Sequence, residues 1–223
     1  MFFVIGLSIL FAANHVYALD CKIVKQGQHF ISTLPFYGFK QDLVLTTRIR
    51  FNESMARYLF PSTESKGRSC SLSWNQVWGA TRCGYLTSTQ MDLDRFVWRR
   101  PSSCLQYDSK GYVVNEYDDC PEKNLIELAA SAYDNGLKPF EHPGVLLKEF
   151  TTKPQINTWY NFKLIFEDTK TTYQLLDESN QLLESQFINH HSCEQFNFGM
   201  IHGLYFGGEC PAPQDVSVCY DSS

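Results

Sequence analysis

A tryptophan-led run in the last third of the chain, Trp159-Tyr160-Asn161-Phe162-Lys163-Leu164-Ile165-Phe166-Glu167, most constrains what it can fold into. Tyr160, Phe162, Leu164 and Phe166 alternate with Asn161 and Lys163, and Glu167 follows on the outward side. That two-residue period belongs to a strand with one buried face, not to a helix. Two returns follow, Thr172–Leu176 and Leu182–Ile188. They are joined through Glu167-Asp168-Thr169-Lys170 and Asp177-Glu178-Ser179-Asn180, whose side chains favour tight turns. A three-strand antiparallel meander exposes one apolar face, and a second sheet must cover it.

The rest of the chain supplies candidates for that sheet. In Leu43–Phe51 one face carries Leu43, Leu45, Thr47, Ile49 and Phe51, and the other Val44, Thr46, Arg48 and Arg50. Phe96 and Trp98 alternate with Arg95 and Arg99, and Val216, Val218 and Tyr220 with Ser217 and Cys219. The segment Asn124–Tyr133 is ambiguous, because Leu, Glu and Ala favour a helix. Read as a strand, it places Leu125, Glu127, Ala129, Ser131 and Tyr133 on one face, small and polar enough to line a ligand. The strand reading is preferred. Between Thr63 and Cys120 little periodicity is visible, which predicts long loops at the sheet rims. No internal repeat or linker interrupts the chain. The expectation is an all-β, two-sheet antiparallel jelly-roll sandwich, one domain over residues 19–223.

Residues 1–18 form a short apolar run ending in Val16-Tyr17-Ala18, a small-x-small cleavage pattern that predicts a signal peptide and secretion. Eight cysteines follow: Cys21, Cys70, Cys83, Cys104, Cys120, Cys193, Cys210 and Cys219. An even number in an oxidising compartment predicts four disulfides. Local pairs Cys70–Cys83, Cys104–Cys120 and Cys193–Cys210 would staple loops, and Cys21–Cys219 would tie the ends together. Zinc-ligand spacing is missing from these cysteines. A net charge of −5 argues against nucleic acid as a partner, and no later stretch is long and apolar enough to span a membrane. Asn52-Glu53-Ser54 is a glycosylation sequon at Asn52.

The meander from Trp159 through Leu182, the closing Gly203-Leu204-Tyr205-Phe206-Gly207-Gly208 and the run Pro211–Val216 resemble the concanavalin A-like lectin/glucanase superfamily. Laminin-G-like modules and jelly-roll polysaccharide lyases share those strands. The resemblance implies two stacked sheets whose concave face meets glycan, and it covers about two thirds of the mature chain. A shared fold does not carry an activity with it.

Retaining glucanases of that superfamily need two carboxyls about 5–5.5 Å apart on one strand, and no such motif is present. Asp92 and Asp94 share a face at roughly 7 Å, which makes them weak calcium candidates; otherwise no cofactor is expected. A uronate lyase needs a cation to neutralise the carboxylate and a base for the C5 proton. Arg95 or Arg99 are the candidates for the first task, Tyr133 or His142 for the second. The Gly-Lys-Leu-Pro-Gly-like stretch of such lyases is missing. Trp74, Asn75, Trp78, Arg82 and Tyr85, with Gln76 among them, combine stacking surfaces with amide and guanidinium edges suited to sugars. Glu127 and Ser131 join them as lining candidates. His190 and His191 point to opposite strand faces, against joint metal binding. The leading expectation is a lectin-like protein binding extracellular polysaccharide or glycan. A lyase acting by β-elimination and a protein-interaction module with a protein partner are the alternatives.

Overall fold

The computed structural model describes residues 20–29, 36–37, 42–60, 70–83, 91–109, 113–117, 119–193, 199–206 and 210–221. The predicted signal peptide and Tyr85 lie outside the described residues. Among the described residues fourteen strands form: β1 (Asp20–Val24), β2 (Phe36–Tyr37), β3 (Leu43–Phe51), β4 (Asn75–Thr81), β5 (Leu93–Arg99), β6 (Leu105–Tyr107) and β7 (Val113–Glu116), then β8 (Glu127–Tyr133), β9 (Leu147–Glu149), β10 (Trp159–Phe166), β11 (Lys170–Leu176), β12 (Leu182–Asn189), β13 (Gly199–His202) and β14 (Val216–Asp221). Two six-stranded antiparallel sheets result, ordered β1-β14-β3-β10-β11-β12 and β2-β13-β4-β5-β8-β9, with β6–β7 a separate hairpin. This is the disulfide-stabilised all-β sandwich expected from the alternating strands.

The core lies between the sheets. Phe162, Leu164 and Phe166 of β10 and Tyr173 and Leu175 of β11 meet Phe96 and Trp98 of β5 and Leu128, Ala130 and Ala132 of β8. Phe96 packs edge-on against Phe162 at 4.9 Å and against Tyr173 at 5.4 Å between ring centroids. Quadrupole-favoured T-shaped pairs of this kind stiffen the contact beyond simple area burial. Residues 127–133 of the ambiguous segment form a strand, because β5 and β9 pair with its two edges.

Two features depart from expectation. Residues 75–81, expected within long loops, form the buried strand β4, every residue of which is shielded from solvent. A strand covered on both faces loses the alternation by which strands are recognised. The disulfides are Cys21–Cys219, Cys70–Cys210, Cys83–Cys193 and Cys104–Cys120. The local pairs Cys70–Cys83 and Cys193–Cys210 are therefore corrected. β13 runs antiparallel to β4, so Cys70 before β4 meets Cys210 after β13, and Cys83 after β4 meets Cys193 before β13. Among the described residues, no helix is long and apolar enough to cross a membrane.

Candidate functional site

The second sheet turns Phe96, Trp98, Leu128, Ala130 and Ala132 inward, so its other face receives the alternating residues. Those are Arg95, Val97 and Arg99 on β5 and Glu127, Ala129, Ser131 and Tyr133 on β8. Strand register aligns five positions straight across the sheet: His202 on β13, Gly79 on β4, Arg95 on β5, Ser131 on β8 and Leu147 on β9. Gly79 is the gap in that row. A Cβ there would lie 2.5 Å from both Arg95 Cβ and the Asp94 carbonyl oxygen. Only glycine lets β4 and β5 approach this closely, and it leaves room beside the arginine.

Arg95 is 7% exposed. Its Nη1 lies 3.5 Å from Gln76 Oε1 and its Nε 3.5 Å from Ser131 Oγ, both long contacts. The guanidinium carbon sits 4.9 Å from the centroid of the Tyr133 ring. Among the described residues no carboxylate reaches it within ion-pairing distance. Burial pulls its pKa below the usual arginine value, and the phenols of Tyr133, Tyr205 and Tyr173 work in the opposite direction. Burying a cation without an anion is costly, so the arrangement is one that an incoming anion would relieve.

His202 is likewise 7% exposed, and its buried Nε2 has no hydrogen-bond partner among the described residues. Desolvation, reinforced by the charge of Arg95, pushes its pKa down to about 4. At neutral pH it is therefore an uncharged imidazole with an unused ring nitrogen. Gln76 is fixed beside it: Nε2 donates to the Gly203 carbonyl at 3.0 Å, and its backbone exchanges two hydrogen bonds with Tyr205. Tyr205 in turn stacks on His29, 5.9 Å between centroids. The face thus assembles an unpaired guanidinium, an amide, a neutral imidazole and two phenols, from Gln76, Arg95, Tyr133, His202 and Tyr205. His202 and Tyr205 were not among the site residues expected from sequence.

The structure brings Arg95, Ser131 and Tyr133 together and separates the other candidates from them. His142 sits after the short 3-10 turn Pro139–Glu141, and no described contact joins it to Arg95. Arg99 is engaged by Glu127 at 2.6 Å and Glu149 at 3.6 Å and lies over Trp74 at 4.2 Å. Glu127 also accepts from the Ser102 backbone N–H at 3.1 Å. Trp78, 4% exposed, belongs to the core, stacked near Phe96, and is corrected as a stacking platform. Trp74, 6% exposed, packs with Val97, Ala129 and Leu147 under Arg99. Asn75 donates to the buried Tyr58 hydroxyl, and its role as a sugar contact is corrected for the same reason of burial.

Arg82 is corrected as well. Wholly buried, it pairs with Asp94, lies 3.7 Å from Asp92 and 3.9 Å from Asp134, and donates to the Tyr133 carbonyl at 2.9 Å. Tyr173 donates to Asp94 at 2.6 Å. Asp92 and Asp94 therefore serve a guanidinium rather than calcium. Cys83, Asp92 and His191 place ligand-type atoms within 4.8 Å of one another, but Cys83 is held in a disulfide and offers no thiolate. His191 Nδ1 lies 2.5 Å from Asp134 Oδ1. Burial pushes the Asp134 carboxyl up, yet the hydrogen bonds from His191 and the charge of Arg82 outweigh it and hold it below the usual range. His190 Nε2 meets Thr171 Oγ1 instead, at 3.0 Å. Asn52 is half-buried, with its amide nitrogen donating to Ser217 Oγ at 2.8 Å.

No protein-family model matches this chain, and no curated protein matches it. Solved structures do resemble it. The alginate lyase vAL-1 from Chlorella virus shares 9% identity over 91% of this chain and 82% of that one, with a TM-score of 0.51. An alginate lyase from Klebsiella pneumoniae shares 8% over 79% of this chain and 56% of that one, with a TM-score of 0.40. A SAP-like pentraxin from Limulus polyphemus shares 11% over 91% and 73%, with a TM-score of 0.39. These structures are jelly-roll sandwiches of the concanavalin A-like superfamily, and the likeness is one of fold.

Proposed function

We propose that this chain is a polysaccharide lyase that cleaves uronate-containing polymers by β-elimination. The observation that carries the reading is the buried Arg95, without a carboxylate partner among the described residues, beside the neutral and unpartnered His202. A purely binding surface has no need of an uncharged base held next to a cation. Elimination needs both.

In this reading Arg95 and the Gln76 amide take the uronate carboxylate and neutralise it, which makes the C5 proton acidic. His202 Nε2 removes that proton. The freed electron pair forms the C4–C5 double bond as the C4–O4 bond breaks, and the departing O4 takes a proton from a phenol of the pair Tyr133 and Tyr205. His202 returns its proton to solvent and the phenol regains one. The alginate lyase from Chlorella virus supports the reading only by its shared fold. Four disulfides support an extracellular setting, with residues 1–18 removed and 19–223 forming one sandwich.

Incubating the mature protein with a panel of uronate and neutral polysaccharides tests this. Absorbance from unsaturated uronate ends, lost in Arg95→Gln and His202→Asn, is the expected result. Retention on a polymer without absorbance would favour a lectin-like protein. Neither signal would favour a protein-binding sandwich.

A further inference from the structure

Resting on the lyase reading, we infer that the substrate carries isolated uronates flanked by uncharged sugars rather than an unbroken run of uronates. The argument lies in the other half of the same sheet face. Arg99 follows Arg95 by four residues on β5, about 13 Å along the strand. Between them Val97, Ala129 and Leu147 pack with Trp74 into an apolar cluster that is shielded from solvent, with Arg99 over the Trp74 ring.

Beyond that cluster the cations among the described residues are already paired. Arg99 is bound by Glu127 at 2.6 Å and Glu149 at 3.6 Å. Lys153 is bound by Glu122 at 2.7 Å and lies 3.6 Å from Glu127. Glu149 keeps its side chain 60% exposed, so its charge faces whatever approaches. A homopolyuronate laid over Arg95 would set its next carboxylates toward cations that already have partners and toward the exposed Glu149. Its first carboxylate would be satisfied and its neighbours would be desolvated or repelled. An uncharged sugar meets no such penalty. Among the described residues of this face, Arg95 is the one cation without a carboxylate partner.

Initial rates measured by absorbance on the intact mature protein decide the matter. One set of substrates is polyguluronate, polymannuronate and polyglucuronate. The other is gellan and hyaluronan, in which neutral sugars separate the glucuronates. The expected result is kcat/KM at least tenfold higher on a spaced polymer than on any homopolymer. Glu149→Gln, at an exposed position, should raise the homopolymer-to-spaced ratio about threefold, in line with the strength of exposed charge interactions. Raising salt to about 0.15 M should move the ratio the same way by screening. Higher kcat/KM on a homopolymer, or a ratio unmoved by both Glu149→Gln and salt, overturns the inference while leaving the lyase reading standing. Absorbance on no polymer overturns the lyase reading itself, and this inference falls with it.

Discussion

Arg82, just after β4, and Arg95, on the neighbouring β5, are both buried arginines, and their surroundings are opposite. Arg82 lies on the core side of the second sheet, against Asp94, Asp92 and Asp134 and the Tyr133 carbonyl. Arg95 emerges on the other face with an amide, a hydroxyl and phenols around it and no carboxylate among the described residues. Burial alone therefore does not tell a structural cation from a functional one. The difference is whether the countercharge belongs to the protein. Arg82 brings its own, whereas Arg95 leaves the place open.

That contrast can be broken most severely at Arg82. Arg82→Met should cost about 3–5 kcal/mol in urea unfolding, because it strands buried carboxylates without their partner. Arg95→Met should do the reverse, leaving the thermal midpoint unchanged or higher. Its kcat/KM on a cleaved polymer should fall about 10²–10³-fold, the usual effect of removing one charge-stabilising group. Comparable destabilisation by both variants would erase the distinction.

His202 sharpens it through pH. His202→Asn should lower kcat about 10²–10⁴-fold, and the acid limb of kcat/KM, with a midpoint about 4 in the wild type, should disappear. Stability follows the same group. The unfolded chain binds this proton near pH 6.5, but the folded chain only below about 4. In that window the unfolded state holds more protons, so stability falls as pH is lowered, and the loss is complete below both values. Denaturant midpoints for His202→Asn should fall less over the same window. The smallest effect belongs to Gly79→Ala, expected to cost about 1–3 kcal/mol by overpacking β4 against Arg95. A midpoint unaffected by that methyl would mean the two strands separate freely.

The sandwich was legible wherever a strand keeps one face wet. Leu43–Phe51, Trp159–Phe166 and Val216–Tyr220 alternate because solvent lies on one side of them. β4 hid in a region expected to be looped, since both its faces are covered and Gln76–Trp78 carries a bulge. Half of the site was legible for the same reason. Arg95, Ser131 and Tyr133 sit on strands whose phase could be read. His202 and Tyr205 join them only through the pairing of β13 with β4, a contact between positions more than a hundred residues apart. The one local clue was Gly79, a glycine inside a strand, which marks close approach by something across the sheet. Trp78 and Arg82 misled because aromatic and guanidinium groups serve sugars and cores equally well.

β1 and β14 are neighbours, and Cys21 bonds to Cys219 across them, closing a loop of 198 residues. Mechanically the fold between Cys21 and Cys219 is a covalently closed ring. A force applied at residues flanking that bond is carried by it, and the strand pairing inside the ring is spared. Pulled in a force spectrometer, the oxidised protein should give almost no extension, and the sheets should unzip only after a reductant has opened the ring.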